Sequence, residues 1–337
     1  MEAYLFETVS DGKVKCNLCR HRCLIKEGRR GICGVRENHA GVLHTLVFGK
    51  LIARHIDPIE KKPLYHFLPG SRSYSIATVG CNFKCRFCQN ADIAQMPEDQ
   101  RGLIVGDPGT PQEVVAAAIK GHCRSISYTY TEPTIFFEFA YETAKLAQAK
   151  GLKNVFVTNG YMTDEALEMI QPYLDAANVD LKAFNERYYR EVCGAKLSNV
   201  LQTLKQMKAR GVFLEVTTLI VPGLNDDSGE LEKLAEFLVT DLGPETPWHI
   251  SRFHPTYKLT DRPPTPLATL LKARDIGLKA GLRYVYTGNV PGEDSENTLC
   301  YNCGRIVIER WGFQIRSTAL EEGRCRYCQT VIDGVGL

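Results

Sequence analysis

The sequence has 337 residues, a formal net charge of +2 and 44% hydrophobic residues. This length suffices for one large α/β domain with smaller attachments, and the near-neutral charge gives no global case for binding nucleic acid or an anionic membrane. No apolar stretch approaches the roughly 20 residues of a membrane-spanning helix, and the first residues lack the apolar core of a signal peptide. We therefore expect a soluble, cytoplasmic protein.

Thirteen cysteines are the unusual feature of the composition. In a short secreted protein they would indicate disulfides, but this chain is long and rich in core-forming residues. Only Cys123 and Cys193 stand apart, and the others fall into three clusters. Closely spaced thiols in a reducing compartment indicate metal ligands.

The first cluster defines a predicted N-terminal module over residues 1–40. Its spacing is C-x2-C-x3-C-x9-C, and its members are Cys16, Cys19, Cys23 and Cys33. Four thiolates can close a tetrahedral site, which favours a structural metal. Zinc is the preferred occupant, and an iron–sulfur cluster is the alternative, because both accept four cysteines.

A basic stretch accompanies this cluster. Its positive residues are Arg20, Arg22, Lys26, Arg29, Arg30 and Arg36. Such a run is usually a solvated surface, but it also allows contact with a protein partner or an RNA backbone. A nucleic-acid-modifying or nucleic-acid-binding protein is therefore the alternative function.

The middle of the chain predicts a β-rich connection followed by a large α/β domain. Short β-like runs broken by prolines occupy residues 41–74. From 75 to 290, apolar runs alternate with helical segments, as in a parallel sheet of βα units. The predicted strands are Ile76–Val79, Ile126–Thr129, Val155–Thr158, Val179–Leu181, Phe213–Leu219, His249–Phe253 and Tyr284–Tyr286. This pattern predicts a partial, open TIM barrel, whose chemistry lies at the carboxyl ends of the strands.

The second cysteine cluster follows the first of these strands. Cys81, Cys85 and Cys88 have C-x3-C-x2-C spacing, so one loop can bring all three to a single metal centre. An iron–sulfur cube takes four thiolates. Three local ligands would leave one iron of the cube open to a substrate. The alternative interpretation is a loop of buried or zinc-binding cysteines without such a cluster.

The third cluster defines a predicted C-terminal module over residues 298–337. Cys300-x2-Cys303 and Cys325-x2-Cys328 are two knuckles typical of a zinc ribbon, or less often of a rubredoxin-like iron site. The alternating run Ile306–Ile315 predicts a hairpin between them. A module this small needs a metal to fold. The stretch Pro291–Asn297 is the predicted linker.

The cluster loop, with Phe87 before its last cysteine, resembles that of the radical S-adenosylmethionine (SAM) superfamily. The resemblance implies a 4Fe–4S cluster whose open iron is chelated by SAM. One electron, supplied by a donor such as flavodoxin or ferredoxin, would cleave SAM to methionine and a 5′-deoxyadenosyl radical that abstracts hydrogen. The cofactor carries the difficult step, while the protein orients it and excludes water.

The strand ends resemble the pyruvate formate-lyase-activating enzyme branch of that superfamily. The matched or neighbouring positions are Glu132, Thr158, Asn159, Asp180, Lys182 and His254. The resemblance implies that Glu132 engages the SAM amino group, that Asp180 and Lys182 contact its ribose and carboxylate, and that His254 packs near adenine. Tyr130 and Thr131 replace two glycines of the family pattern.

The N-terminal segment allows a narrower comparison. Cys16-Asn-Leu-Cys-Arg-His-Arg-Cys23 followed by Gly31-Ile-Cys-Gly-Val-Arg36 resembles the AmmeMemoRadiSam-system radical SAM enzymes. This resemblance implies Memo-like and AMME-candidate-like proteins as partners. The substrate could be a protein that receives a glycyl radical, or a small molecule or peptide.

Overall fold

The computed structural model describes residues 1–290 and 294–337. Residues 291–293, at the start of the predicted linker, lie outside the described part. The centre of the molecule is an eight-stranded sheet in which the strands follow one another in chain order. Its strands are β1 (Ala53–Pro58), β2 (Arg72–Ala77), β3 (Ser125–Tyr128), β4 (Lys153–Thr158), β5 (Ala176–Asp180), β6 (Phe213–Ile220), β7 (Trp248–Arg252) and β8 (Val285–Gly288).

The pairing of these strands gives a partial barrel. Strands β2 to β8 are parallel to their neighbours, whereas β1 runs antiparallel to β2. The connecting helices are α1 (Pro111–Lys120), α2 (Phe137–Ala149), α3 (Asp164–Ile170), α4 (Leu197–Ala209), α5 (Ser228–Phe237) and α6 (Leu267–Ala280). The parallel strands are largely buried, which explains why they read as apolar runs. The predicted fold class is confirmed.

Two helix starts show how the local sequence sets the architecture. Thr110 caps α1 by accepting the Glu113 N–H at 3.2 Å, while the Glu113 carboxylate accepts the Thr110 N–H at 2.8 Å. Thr163 caps α3 by accepting the Ala166 N–H at 3.2 Å. Both caps satisfy backbone donors that a helix leaves unpaired, so these helices begin where the sequence indicates.

The N-terminal residues pack on the barrel as small antiparallel sheets. One sheet contains Phe6–Thr8, Val14–Cys16 and Leu24–Ile25, and a hairpin joins Arg36–His39 to Val42–Thr45. The hairpin crosses the predicted module boundary at residue 40. The predicted connection over 41–74 is also not wholly separate, because β1 and the start of β2 belong to the barrel sheet.

The C-terminal residues form a three-stranded sheet and a short hairpin. The first contains Thr298–Leu299, Ile306–Trp311 and Gln314–Thr318, and the second pairs Leu320–Glu321 with Arg324–Cys325. We call the turn Trp311–Phe313 the hairpin tip. The final residues return to the barrel, where Val335 pairs in parallel with Phe67.

The remaining elements are short. The strand pair Lys50–Leu51 and Asp107–Pro108 lies beside the barrel. Single helical turns occupy Ser10–Gly12, Ile59–Lys61, Ala91–Ala94, Met96–Asp99, Pro133–Phe136, Gln171–Tyr173, Glu186–Tyr188 and Asp294–Glu296, and π-helical turns occupy Tyr189–Cys193 and Leu238–Leu242. Among the described residues, no helix has the length and apolar character to cross a bilayer.

Candidate functional site

A cleft of about 290 Å³ opens at the carboxyl ends of the barrel strands. All three cysteines of the second cluster line it, together with strand-end residues of β3 to β8. The predicted site residues that line this cleft are Cys81, Cys85, Cys88, Glu132, Asn159, Asp180 and Lys182. The barrel thus brings these side chains together from three separate strand ends and one loop, as the parallel topology requires.

The cysteine loop leaves the barrel at Gly80. Gly80 has φ +101°, and a Cβ there would lie 2.6 Å from Val35 Cγ1 and 3.1 Å from the Cys33 carbonyl oxygen. Only glycine combines this backbone conformation with such close packing. The loop is therefore pressed directly against the N-terminal module.

Hydrogen bonds from three directions fix the loop. His21 Nε2 lies 2.8 Å from the Asn82 carbonyl oxygen. The Gln95 side-chain amide donates to the Phe83 carbonyl at 3.0 Å, and the Lys84 N–H donates to the Cys193 carbonyl at 2.8 Å. The positions of the thiols thus depend on the N-terminal module and the π-helical turn as well as on the loop itself.

The three thiols suit an iron–sulfur cube. They share one cleft, but their sulfur atoms are farther apart than the ligands of a single metal ion would be. This wider spacing suits an iron–sulfur cube, in which each thiolate binds a separate iron. The Phe83 N–H points to Cys81 Sγ at 3.4 Å. Burial raises the pKa of Cys81, and that of Cys88 to about 11, so thiolates here need metal cations to compensate their charge.

Glu132 lines the cleft, but both of its carboxylate oxygens already accept hydrogen bonds from neighbouring residues. Its Oε1 accepts the Thr134 N–H at 3.0 Å, the Thr134 hydroxyl at 2.6 Å and the Thr158 hydroxyl at 2.7 Å. Its Oε2 accepts the Asn159 N–H at 2.8 Å. Burial raises the pKa of this carboxyl despite these donors. Glu132 thereby fastens the end of β3 to the end of β4.

Asn159 connects that junction to the cysteine loop. Its side-chain amide donates to Asn82 Oδ1 at 2.7 Å and lies 3.9 Å from Cys81 Sγ. Thr158, by contrast, is buried behind Glu132 and does not line the cleft. Thr158 therefore acts on the site indirectly, through its hydrogen bonds with Glu132 and with the Gly160 N–H.

Asp180 and Lys182 form an ion pair at the carboxyl end of β5, the strand next to β4. Lys182 Nζ lies 2.7 Å from Asp180 Oδ2. Burial would lower the pKa of Lys182, but the negative charge of Asp180, together with that of the nearby cysteines, outweighs this effect and raises the pKa. The ammonium is thus held charged, and it suits a ligand carboxylate, while Asp180 can accept hydroxyl protons.

Tyr130, at a position where the family pattern has glycine, adopts a glycine-like conformation. Its φ is +63°, in the left-handed region that non-glycine residues rarely enter. Its hydroxyl donates to Asp57, and Lys62 Nζ lies 4.5 Å from its ring centroid. Asp57 also pairs with Lys62 at 2.6 Å and Lys61 at 2.9 Å, contacts that keep its pKa low although burial opposes this. Lys61 also lines the cleft, although no motif in the sequence pointed to this residue.

The last two barrel strands contribute residues that the sequence analysis missed. Ser251 and Asn289 line the cleft, and Phe313 of the hairpin tip reaches it from the C-terminal module. His254, in contrast, is exposed and outside the cleft lining. No spacing in the sequence connects Phe313 with the cysteine loop, because the contact depends on how the module folds back.

The two four-cysteine clusters differ in geometry. The Sγ atoms of Cys300, Cys303, Cys325 and Cys328 all lie within 4.8 Å of one another, including pairs at 3.6 and 3.7 Å. Tetrahedral zinc with bonds of about 2.3 Å places sulfurs about 3.8 Å apart, so a single ion fits. In the part of the chain that the structure describes, no other cysteine, histidine or acidic residues meet this distance limit in groups of three or more.

The N-terminal thiols line one small cavity of about 10 Å³. The cavity members with metal-binding potential are Cys16, Cys19, Cys23 and Cys33. Arg36 also lines it, is 1% exposed and pairs with Glu138 at 2.8 Å. Its guanidinium can compensate the charge of thiolates. The metal at this cluster stays a prediction.

The basic stretch is largely paired within the chain. Arg20 contacts Asp164 at 2.6 Å, Arg22 contacts Glu165 at 2.8 Å, and Arg30 contacts Glu37 at 2.6 Å. With the buried Arg36 pair, these contacts use four of the six positive side chains. They attach the module to the barrel and to itself, which disfavours the alternative of a phosphate-binding surface.

Comparisons with known proteins agree with this geometry. The model of the Radical SAM superfamily matches residues 75–238. An uncharacterized protein of Methanocaldococcus jannaschii is 48% identical over 334 residues, covering 98% of each chain. The pyruvate formate-lyase-activating enzyme of Staphylococcus epidermidis is 22% identical over 234 residues, covering 66% of this chain and 92% of its own.

A solved structure shares the fold. Streptococcus suis SuiB bound to S-adenosylmethionine aligns with a TM-score of 0.51 at 14% identity, covering 68% of this chain and 53% of SuiB. The family match spans the cysteine loop and the strand ends that line the cleft up to β6. The chain therefore belongs to the radical SAM superfamily and is a radical SAM enzyme, related to the activating enzymes of glycyl-radical proteins.

Proposed function

We propose that this enzyme reductively cleaves SAM in the cleft and uses the resulting 5′-deoxyadenosyl radical to remove hydrogen from a substrate. The observation that carries the proposal is the convergence of the three thiols with Asp180 and Lys182 around one cleft. Cys81, Cys85 and Cys88 would hold a 4Fe–4S cluster. When bound, that cluster supplies the electron and the open iron on which the superfamily's chemistry depends.

The protein's own residues would orient SAM and exclude water. Lys182 offers a charged ammonium to the SAM carboxylate, and Asp180 offers acceptors to the ribose hydroxyls. Asn159 stiffens the edge of the cleft beside Cys81. Glu132 acts mainly by holding the two strand ends together, since each of its oxygens already accepts hydrogen bonds from the chain.

The test is anaerobic reconstitution with iron, sulfide and SAM, followed by measurement of 5′-deoxyadenosine and bound iron. Cys85→Ala should lose SAM cleavage and cluster iron while retaining metal at the C-terminal module. Cys123→Ala is the matched control, because Cys123 is also buried but lies outside all three clusters. Undiminished cleavage by Cys85→Ala would refute the assignment.

We further propose that the chain is of the AmmeMemoRadiSam-system type, on the strength of the segments Cys16–Cys23 and Gly31–Arg36. Memo-like and AMME-candidate-like proteins are then the proposed partners, with flavodoxin or ferredoxin as electron donor. Likeness to the activating enzymes makes a glycyl radical on a partner protein one possible product. A stable protein radical in electron spin resonance would support this, whereas a mass change in a metabolite or peptide would indicate a modifying enzyme.

A further inference from the structure

A second cavity, of about 310 Å³, adjoins the SAM cleft. We call it the side chamber. It shares Pro63, Ser251, Asn289 and Phe313 with the cleft, so these side chains stand between the two spaces. Its volume is that of a small-molecule site. A ligand here would lie next to SAM without displacing it.

Two buried carboxyl groups give the side chamber its chemical character. Glu60 is 1% exposed; its Oε1 accepts the Gly70 N–H at 2.7 Å, while its Oε2 has no partner among the described residues. Glu296 is also buried, and its Oε2 accepts the Gly312 N–H at 2.8 Å. Burial raises the pKa of both groups, so a nearby cation would relieve an energetic cost.

Near the chamber, carboxyl groups outnumber the positive groups that line it. Arg310 lies nearby and lowers the pKa of both, and the Arg316 guanidinium lies 4.5 Å from the centroid of the Trp311 ring. His249 lines the chamber but is already paired with Glu215 at 2.6 Å. Among the described residues, no lysine or arginine lines the chamber itself. Two carboxyl groups thus line the chamber, while the guanidinium groups of Arg310 and Arg316 lie outside its lining.

Aromatic side chains complete the chamber. Trp311 and Phe313 of the hairpin tip line it although they are 55% and 47% exposed, and Tyr65 forms part of the inner wall. Exposed apolar side chains grouped at the rim of a cavity are typical of a ligand-binding or partner-binding site. Aromatic faces beside carboxylates attract ammonium and guanidinium groups.

The hairpin tip is fixed relative to the barrel by a buried polar network. His66 Nε2 lies 2.6 Å from the Tyr286 hydroxyl, which lies 2.9 Å from the Thr298 hydroxyl. Arg310 donates to that hydroxyl at 2.6 Å and to the Tyr65 carbonyl at 2.8 Å. These bonds connect strand β8 to the strand that ends in the tip, so the chamber wall is preorganised.

We propose that the side chamber is the substrate site and that it takes an organic cation, bearing an ammonium or guanidinium group. Glu60 and Glu296 bind the cationic group, Trp311 covers it, and Phe313 lies at the boundary with the SAM cleft. This inference rests on the proposed function, because the chamber serves as a substrate site only if a radical forms next to it.

The test compares three probes of equal size but different charge: benzylamine, benzyl alcohol and benzoate. Binding is measured by calorimetry under anaerobic conditions on the metal-loaded enzyme with SAM present. Because the chain has two tryptophans and Trp248 is fully buried, a change in tryptophan emission localises the probe to Trp311. Trp311→Phe should remove the emission change.

We expect benzylamine to bind at least tenfold more tightly than benzyl alcohol, and benzoate not to bind. Glu60→Gln and Glu296→Gln should each weaken benzylamine binding about tenfold. Glu309→Gln, on the same hairpin but outside the chamber, should leave it unchanged. C-terminal metal content reports whether each variant remains folded.

Equal binding of amine and alcohol, preference for benzoate, or no effect of either chamber variant would overturn the inference. These outcomes are independent of SAM chemistry. A wild-type enzyme that forms 5′-deoxyadenosine but does not prefer the amine refutes the side chamber alone. One that forms none refutes the proposed function.

Discussion

Replacing Glu132 by glutamine separates the two roles that this residue could have. The carboxylate accepts four hydrogen bonds from buried donors, three on Oε1 and one on Oε2. A glutamine side chain can reproduce the three on its carbonyl oxygen. Its NH2 group must then face the Asn159 N–H, so one bond is lost and two donors oppose each other.

The cost can be worked from these contacts. Leaving a buried donor unsatisfied costs about 1–3 kcal/mol, and three bonds to a charged acceptor become weaker bonds to a neutral one. Removing a buried charge recovers part of that loss. We therefore expect Glu132→Gln to reduce the free energy of unfolding by about 2 kcal/mol, roughly thirtyfold in the folding equilibrium.

Urea denaturation of the metal-loaded protein measures this change, alongside 5′-deoxyadenosine formation. Glu165→Gln, which removes a surface contact to Arg22, is the control and should cost at most about 1 kcal/mol. Both stability and SAM cleavage should fall in Glu132→Gln, because Asn159 borders Cys81. If the unfolding midpoint stayed at the control's value while cleavage was lost, Glu132 would act by touching SAM and our reasoning would be wrong.

Three further predictions concern the rest of the structure. Burial lowers the pKa of His66 to about 4. The stabilising contribution of His66 is therefore complete above pH 6.5 and declines by about 3 kcal/mol in all as the pH falls toward 4. In urea unfolding, the wild type should lose that much more stability than His66→Gln over this pH range, and parallel pH profiles for the two proteins would contradict the prediction. Gly80→Ala should lose cluster iron and SAM cleavage, since its Cβ would press on Val35, and normal iron content would count against that contact. Cys325→Ser should release metal from the C-terminal module and weaken benzylamine binding, whereas unchanged binding would show that the hairpin tip holds its place without metal.

The sequence predicts most of the barrel because its strands are buried on both faces and therefore read as short apolar runs. Strand β1 was not predicted from the sequence. It contains Arg54 and the exposed residues His55 and Ile56 at the edge of the sheet, so its pattern is largely polar. Its antiparallel pairing with β2 is visible only in three dimensions.

The candidate site was predictable to a similar extent. The C-x3-C-x2-C spacing of the cysteine loop is specific enough to indicate a metal centre from the sequence alone. Asp180 and Lys182 could also be predicted, because they lie at the end of a predicted strand. The engagement of Glu132 could not be foreseen, since its partners come from a neighbouring strand and turn. The position of Phe313 at the cleft could not be predicted either, because it depends on how a module far along the chain folds back.

The contact between Gly80 and the N-terminal module has a consequence for how the enzyme matures. Val35 and the Cys33 carbonyl pack directly against Gly80, at the start of the loop that carries Cys81. Small cysteine modules of this kind acquire their structure together with their metal. If the predicted metal at the N-terminal cysteines sets the position of Val35, we expect that site to be filled before the cluster is inserted at Cys81, Cys85 and Cys88.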